Sequence, residues 1–428
     1  MPHPFYPPVM SRQQLGSLIV DLTTNPLLGP VLPIPNVLVT VREMSANGEG
    51  QIYAELLTNE VGQTIPIELP TPPIEYSLDP AIFQTPFSSF IVQTSSPEYV
   101  DATIIGSQVF ADTQSIQPIE LVSTRSAMRQ FVEAIIIPFP TLYGDFPPKI
   151  PEAEIKPIIP GSGFITLDNV VVPEFIVVHA GSPNDVNAPN YTVPYLDYIA
   201  NVVSSEIYPT WPTETIKANV IAIISFTLNR VFTEWYRNQG KNFTMTNSTA
   251  FDQAFSFGRN IYDSVTPIVA EVFNTFVRRP GVLQPLFTQY CDGRQSQCPG
   301  WMTQWGSKSL GDQGFNAEAI LRNFYGNIEL PQAEVVEGIP ESYPGTPLRL
   351  GSTGADVRKM QEQLNRISNN FPLIPKVATD GVFGPSTEEA VRTFQRIFHL
   401  QQDGVVGRNT WYKISAIYVA VTRMAELV

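Results

Sequence analysis

Residues 194–238, PYLDYIANVVSSEIYPTWPTETIKANVIAIISFTLNRVFTEWYRN, decide how the chain is read. They spell two helices around a Pro/Trp corner. Tyr195, Ile199, Val202 and Glu206 recur at helical spacing on one face. Glu206 therefore carries an apolar stripe into the last turn, and Tyr208, Pro209, Trp211 and Pro212 end the helix. Apolar neighbours and a helix C-terminus both disfavour an ionised carboxylate and raise its pKa. A carboxylic acid kept protonated near neutral pH can act as a general acid on a glycosidic bond. The same spacing also fits an exposed last-turn glutamate with no role. The second helix is expected from Pro212 to Asn238, with Pro212 at its first turn. Its middle, VIAIISFTL, is apolar all round, which predicts burial on most faces.

A chain of 428 residues exceeds one ordinary core, so two or three domains are expected. A net charge of −14 and a pI near 4.7 argue against a nucleic-acid partner. Neutral sugar polymers stay compatible, because stacking and hydrogen bonds bind them. Outside the second helix no apolar run reaches membrane-spanning length. That helix itself carries Lys217, Asn219, Asn229 and Arg230, which favours a buried helix over a membrane span. The N-terminus, MPHPFYPPVMSRQQLG, has no apolar core behind a basic start, so a Sec-type signal is not expected. Cys291 and Cys298 are the two cysteines, and His3, His179 and His399 the three histidines. The cysteines with His179 and a carboxylate could make a zinc site, but ligands are scarce. A loop disulfide and two free thiols both stay open.

The expected fold is multidomain α+β. Its parts are an N-terminal β-sandwich (1–122), a Pro-rich linker (123–163), a central mixed α/β catalytic domain with a buried helix (164–328), a second linker (329–345) and a C-terminal three-helix module (346–428). The sandwich follows from GSLIVDL, NVLVTVRE, GQIYAELLTN, TIPIELP, SFIVQTSS, ATIIGSQVF and QPIELV, which alternate between turn clusters. In the first linker TRSAMRQFVEAI starts as a short helix. The Pro-rich run after it reads as extended, exposed and open to a protease. From residue 164, FITLDNVVVPEFIVVHAG reads as buried strands, and His179 at their end as a packed structural residue. Residues 247–279 should end as an amphipathic helix. Asp252 and Gln253 suit either a sugar groove or a cap. Tyr290, Gln304 and Trp305 offer aromatic faces and an amide for carbohydrate, or simply core. AEAILRNFYG closes the domain near Gly326.

In the C-terminal module Asp380-Gly381-Val382-Phe383-Gly384 and Asp403-Gly404-Val405-Val406-Gly407 are two copies of one turn, each followed by a helix started by Thr387 or Thr410. The strings LRLGSTGADVRKMQEQLN, DGVFGPSTEEAVRTFQ and DGVVGRNTW resemble the peptidoglycan-binding domain of bacterial wall hydrolases. That resemblance implies a module holding an enzyme on its polymer, with Asp380, Gly381, Phe383, Asp403, Gly404 and Trp411 as its signature residues.

YLDYIANVVSSEIYPTWPTETIKANVIA and MTQWGSKSLGDQGFNAEAILRNFYG make residues 170–326 resemble the catalytic domain of sporulation stage II protein D, a lytic transglycosylase. The resemblance puts the catalytic acid on Glu206. CPGWM stands where that family has a His-containing Gly-rich stretch, and the family's zinc-binding Cys/His set is not reproduced, so no metal or other cofactor is carried over. The N-terminal strands resemble transthyretin-like or carboxypeptidase-regulatory-like modules. The whole order, with SSEIYPTW, TEWYR, NSTAFDQ, FGRNI and QYCDG, resembles the clostridial spore cortex-lytic enzymes. This implies a spore location, cortex peptidoglycan as substrate, and a pro-region removed within 123–160 by a subtilisin-like germination protease. It also implies that Glu206 protonates the glycosidic oxygen and then deprotonates the muramoyl C6 hydroxyl, closing a 1,6-anhydro ring. Three alternatives stand beside it. A hydrolytic muramidase would need Asp252 or Asp197 as second carboxylate, a muramoyl-alanine amidase would need metal ligands, and a wall-binding or coat-assembly protein would need neither.

Overall fold

A computed structural model describes residues 14–25, 30–44, 50–125, 134–156, 169–296, 298–335 and 343–422. Mixed α/β architecture is observed, with sheets in the N-terminal part and helices dominating the rest. The seven alternating segments form strands β1 (Gln14–Thr24), β2 (Leu38–Glu43), β3 (Ile52–Leu57), β4 (Ile67–Thr71), β5 (Phe87–Ser95), β6 (Thr103–Phe110) and β7 (Gln114–Leu121), with a short helix α1 at Glu75–Leu78. They stack as two sheets over a core of Leu18, Val20, Leu22, Val39, Val41, Phe90, Val92 and Ile104. Alternation places these residues inward, as a half-buried strand requires.

Both sheets recruit strands from outside the sandwich. β8 (Ile135–Ile136) lies parallel to β6, and β13 (Ile261–Tyr262) lies antiparallel to β7. In sheet order these give β3-β2-β5-β6-β8 and β13-β7-β1-β4. One edge of each sheet is thereby closed by chain from the connector or the central domain.

The central region is built on α2 (Tyr195–Glu206) and α3 (Thr213–Phe232). Short strands β9 (Val171–Val172), β10 (Phe175–His179) and β11 (Asn190–Pro194) precede them. β12 (Met245–Thr246) follows, then α4 (Thr266–Val272), β14 (Tyr290–Cys291), β15 (Met302–Thr303), α5 (Gln304–Asp312), α6 (Ala317–Tyr325) and β16 (Glu334–Val335). α3 is long and apolar enough to cross a membrane by length and composition, yet 89% of its apolar window is buried in protein. It stops at Phe232 rather than Asn238, because Glu234 takes a left-handed φ of 45°. Trp211 at the corner is buried and its indole N–H donates to Ser77 O of α1 at 2.9 Å, so the sandwich holds the α2–α3 turn.

The helix expected within 247–279 is limited to α4. Upstream of it, the Asn201 side chain pairs with both backbone groups of Ser256 (3.0 and 2.8 Å), and β13 joins a sheet, so those backbone groups have non-helical partners. The Pro-rich connector is extended and exposed over much of 134–156, yet it is anchored to the core. Ile137, Leu142 and Lys156 are buried, and Thr141, Ile150, Glu152 and Lys156 donate their N–H groups to Ser205 O, Ala250 O, Gln289 Oε1 and Gln284 Oε1. Proline removes donors but leaves every other residue in the run with one, and these find partners in the core. The short helix expected at 124–135 and the end of the processing region at 157–163 fall largely outside the described residues.

The C-terminal helices are α7 (Ala355–Ser368), α8 (Pro385–Ile397) and α9 (Arg408–Thr422). Each Asp-Gly turn is locked by a buried glutamine from the preceding helix. Gln361 donates to Asp380 Oδ1 (3.1 Å), Val382 O (3.0 Å) and Thr387 Oγ1 (3.2 Å), and accepts from Gly381 N (2.9 Å). Gln395 repeats the set with Asp403 Oδ1 (2.7 Å), Val405 O (3.0 Å), Thr410 Oγ1 (3.1 Å) and Gly404 N (2.9 Å). Gly381 and Gly404 take φ of 77° and 73°, where a side chain is disfavoured. Thr387 and Thr410 thus lie inside their helices and accept from glutamine, rather than starting the helices as caps. Replacing Gln361 or Gln395 by Ala should each cost about 1–3 kcal/mol, since a buried turn loses its partner. Guanidinium unfolding of the full chain measures this, and a change under about 0.5 kcal/mol at both sites would refute the lock.

Candidate active site

α2 delivers Glu206 into the core. The residue is 1% exposed, while Asp197 on the same helix faces out. Glu206 Oε1 accepts the Ala254 N–H at 2.7 Å, and Oε2 has no aligned hydrogen bond. Burial raises the Glu206 pKa, opposed by the Lys149 ammonium, the Ala254 N–H and the Tyr290 hydroxyl. The Tyr290 hydroxyl thus acts on the carboxyl although no well-angled bond to Oε2 forms. Burial also lowers the pKa of Lys149, with the negative charge of Glu206 as the leading opposing influence. Desolvation drives both groups toward their neutral forms, and their mutual attraction resists it. Lys149 lies over the rings of Tyr290 (4.9 Å) and Phe226 (5.3 Å) and donates to Asp252 O.

Gln253 is fully buried beside this cluster. Its Oε1 accepts from Tyr198 (3.0 Å) and Thr227 (2.9 Å), and its Nε2 donates to Ile223 O (3.1 Å) and Tyr290 Oη (3.3 Å). Gln253 and Tyr290 therefore do gather near Glu206, as framework rather than as a groove wall. Asp252 is wholly engaged. It pairs with Arg230 Nε (2.8 Å) and accepts from Tyr236 (2.6 Å), Thr246 N (2.9 Å) and Thr246 Oγ1 (2.7 Å). It offers nothing to a ligand, contrary to the groove assignment. Gln304 and Trp305 are also buried. Trp305 packs on Trp211 (4.9 Å between centroids) and Tyr208 (6.1 Å) in the core.

Asp197 cannot face Glu206 across a cleft. The two lie about 13 Å apart along one helix axis and on opposite sides of it. A cavity of about 120 Å³ does touch Asp197, with Ile116, Phe273, His399 and Tyr412, but it lies where the sandwich, central domain and C-terminal module meet, and Glu206 does not line it. Nothing at Glu206 is open to solvent in this form.

Cys291 and Cys298 form a disulfide, which removes both thiolates from any zinc set. His179 is buried, stacked on Phe243 at 4.5 Å and bonded through Nδ1 to Asn190 Oδ1 at 2.8 Å, a packed residue. In the C-terminal module Phe383 and Trp411 are core, and Asp380 and Asp403 serve the glutamine locks. These residues build the module, and Asp380 and Asp403 stay exposed at its surface.

Sequence reasoning missed Lys149, Glu152 and Arg230. Glu152 binds Arg230 through both oxygens (2.7 and 3.1 Å) and Lys156 at 2.7 Å. A lysine and a glutamate among prolines were the available signal.

Residues 186–271 match the family model for stage II sporulation protein, and residues 353–414 match that for a peptidoglycan binding domain. The two matches stand in the expected order and support a wall-degrading, spore-associated role with peptidoglycan as partner. The first match carries a lytic-transglycosylase-like domain and includes Glu206, Lys217 and Arg259. No curated protein matches the chain. Two solved transthyretin structures, one from sea bream and one from Sparus aurata, are similar at 15% identity over 25% of this chain and 92% and 93% of theirs. Their TM-score of 0.14 is too low to add to the description of the sandwich.

A raised Glu206 pKa has a stability signature. The folded state keeps a proton that the unfolded chain releases above about 4.3. Stability from this group is full below that value and declines as pH rises through the raised one. Glu206→Gln should therefore gain on wild type as pH rises from about 4.3 to the raised folded value, and keep that advantage above it. Thermal midpoints across that range test it, and a difference that does not grow with pH would count against a buried protonated acid.

Proposed function

We propose that the chain is the precursor of a lytic transglycosylase that cleaves spore-cortex peptidoglycan between N-acetylmuramic acid and N-acetylglucosamine during germination. One observation carries this reading: a fully buried Glu206 whose Oε1 accepts a backbone N–H while Oε2 has no aligned partner. Oε2 is then the oxygen that carries the proton. In the reaction that proton passes to the glycosidic oxygen as the C1–O bond breaks. The carboxylate next takes the proton of the muramoyl C6 hydroxyl, and O6 bonds to C1 as the 1,6-anhydro ring closes. One carboxyl serves both steps.

A hydrolytic muramidase needs a second carboxyl about 5–9.5 Å away. Asp252 is bound to four donors and Asp197 faces away, so both candidates named for that role are unsuitable. The disulfide weighs against a zinc amidase built on the cysteines. The burial of Glu206 supports a precursor. Glycan must reach the acid, and residues 134–156 pack along its helix, with Thr141 N on Ser205 O at 2.9 Å. Cutting the chain beyond them by a subtilisin-like protease would let that segment leave.

The test is mass spectrometry of fragments released from cortex by uncut and cut protein. Cut protein should release anhydro-muramic ends, uncut protein far fewer, and cut Glu206→Gln none above background, a loss of at least about a hundredfold. Reducing muramic ends would replace this reading with a hydrolase. Sacculus binding with no soluble sugar from any form would replace it with a wall-binding or coat protein.

A further inference from the structure

We propose that Arg259 and Asn260 form a subsite for an acidic stem peptide of the wall polymer, and that Gln108 of the sandwich fills it in this form. This rests on the precursor reading above and adds a substrate-recognition site to it.

Arg259 is 1% exposed and has no carboxylate partner among its hydrogen bonds. Nη1 donates to Gln108 Oε1 at 3.0 Å, Nη2 donates to Pro138 O, and Nε is unpartnered. A guanidinium taken out of water and given only neutral oxygens is a costly arrangement. Burial lowers its pKa to about 10, opposite to Arg230, whose two carboxylates raise it. Among the described residues the two buried arginines differ in just this respect: Arg230 has its anions and Arg259 lacks one.

Asn260 grips the same residue. Its Oδ1 accepts Gln108 N at 3.1 Å and its Nδ2 donates to Gln108 O at 2.8 Å. Asn260 therefore reads both backbone groups of one extended residue, while Arg259 reads an oxygen at the end of its side chain. That residue is a glutamine, the neutral isostere of a glutamate. A ligand of peptide amides carrying a carboxylate satisfies the same atoms and gives Arg259 its missing charge. Peptidoglycan stems have this chemistry.

Position agrees. Ala254, which donates to Glu206, is at most about 17 Å of extended chain from Arg259, a distance a glycan strand and its stem can bridge. Beside the neighbouring Tyr262, the described partners of the pair belong to the sandwich or connector: Gln108, Pro138, and Ile135 against Gly258. Departure of that part bares the subsite together with the acid.

The test uses full-length Glu206→Gln protein with a recognition sequence for a sequence-specific protease placed within 157–168, so that the probe is not degraded. Fluorescence polarisation compares a labelled wall disaccharide–tetrapeptide with the peptide-free disaccharide, before and after the cut. Cutting should create about a tenfold preference for the peptide-bearing probe, and Arg259→Lys should abolish that gain. A gain that survives Arg259→Lys, or no gain on cutting, overturns the subsite, whether or not the wild-type enzyme cleaves glycan. Gln108→Glu gives a second measurement in uncut protein. It supplies the missing anion but gives up the Nε2 bond to Pro138 O, so a double-mutant cycle with Arg259→Gln should show favourable coupling in the thermal midpoints, and no coupling would contradict an unmet charge at Arg259.

Discussion

The ion pair between Arg230 and Asp252 sets the geometry that the acid depends on. Both side chains are fully buried, which is tolerable only when each charge is paired and every remaining donor and acceptor is met. Asp252 reaches that state by taking four donors, from α3, Tyr236 and Thr246. Its orientation is then fixed, and so is the path of the chain that follows it. Gln253 comes next, wedged between Tyr198 and Thr227, and then Ala254, whose N–H meets Glu206. The local environment of Glu206 thus descends from a salt bridge at Asp252, two residues before Ala254.

The same arginine draws in the connector. One carboxylate suffices for charge, but the guanidinium has five donors, and Glu152 takes two of them. Glu152 also neutralises Lys156, so ion pairs anchor the Pro-rich segment to the core. Lys149 is carried in with it. Its ammonium near Glu206 works against what burial does to the acid, because a nearby cation favours the carboxylate. If the segment leaves, the acid loses both its cover and that cation. Access and removal of that cation would then arise from one event, while the water let in works against the burial that raises the pKa.

Local pattern was enough to place the sandwich strands, α2, α3 and the three C-terminal helices, because alternation and helical spacing act over a few residues. Glu206 was legible for the same reason: its stripe lies within one helix. The pairings that give the site its character join residues far apart in sequence, such as Gln108 with Arg259 and Asn260, or Glu152 with Arg230. No periodicity announces those. The Asp-Gly repeat was legible as two turns, whereas its glutamine locks were hidden because Gln361 and Gln395 occupy helical positions that polar residues commonly fill. Asp252 shows the opposite error. An acidic residue before an aromatic run looks like a ligand-binding carboxylate, and a buried arginine on α3 claimed it instead.

Charge gives the sandwich–domain contact a further meaning. A protein with net charge of −14 repels an acidic polymer at long range, and salt limits that field to about 8 Å. Affinity for a carboxylate-bearing strand must therefore come from cations held close to the ligand and out of water. Arg230 keeps Asp252 as its buried partner, and Lys156 belongs to the segment that leaves, so neither serves. Arg259 is different, because its present partners are neutral oxygens supplied by the part of the chain that covers it. An uncompensated cation weakens the contact that hides it and strengthens the contact that would replace it. The same guanidinium thus favours separation of the sandwich and capture of an acidic stem, and a neutral glutamine fits that double role better than a carboxylate would.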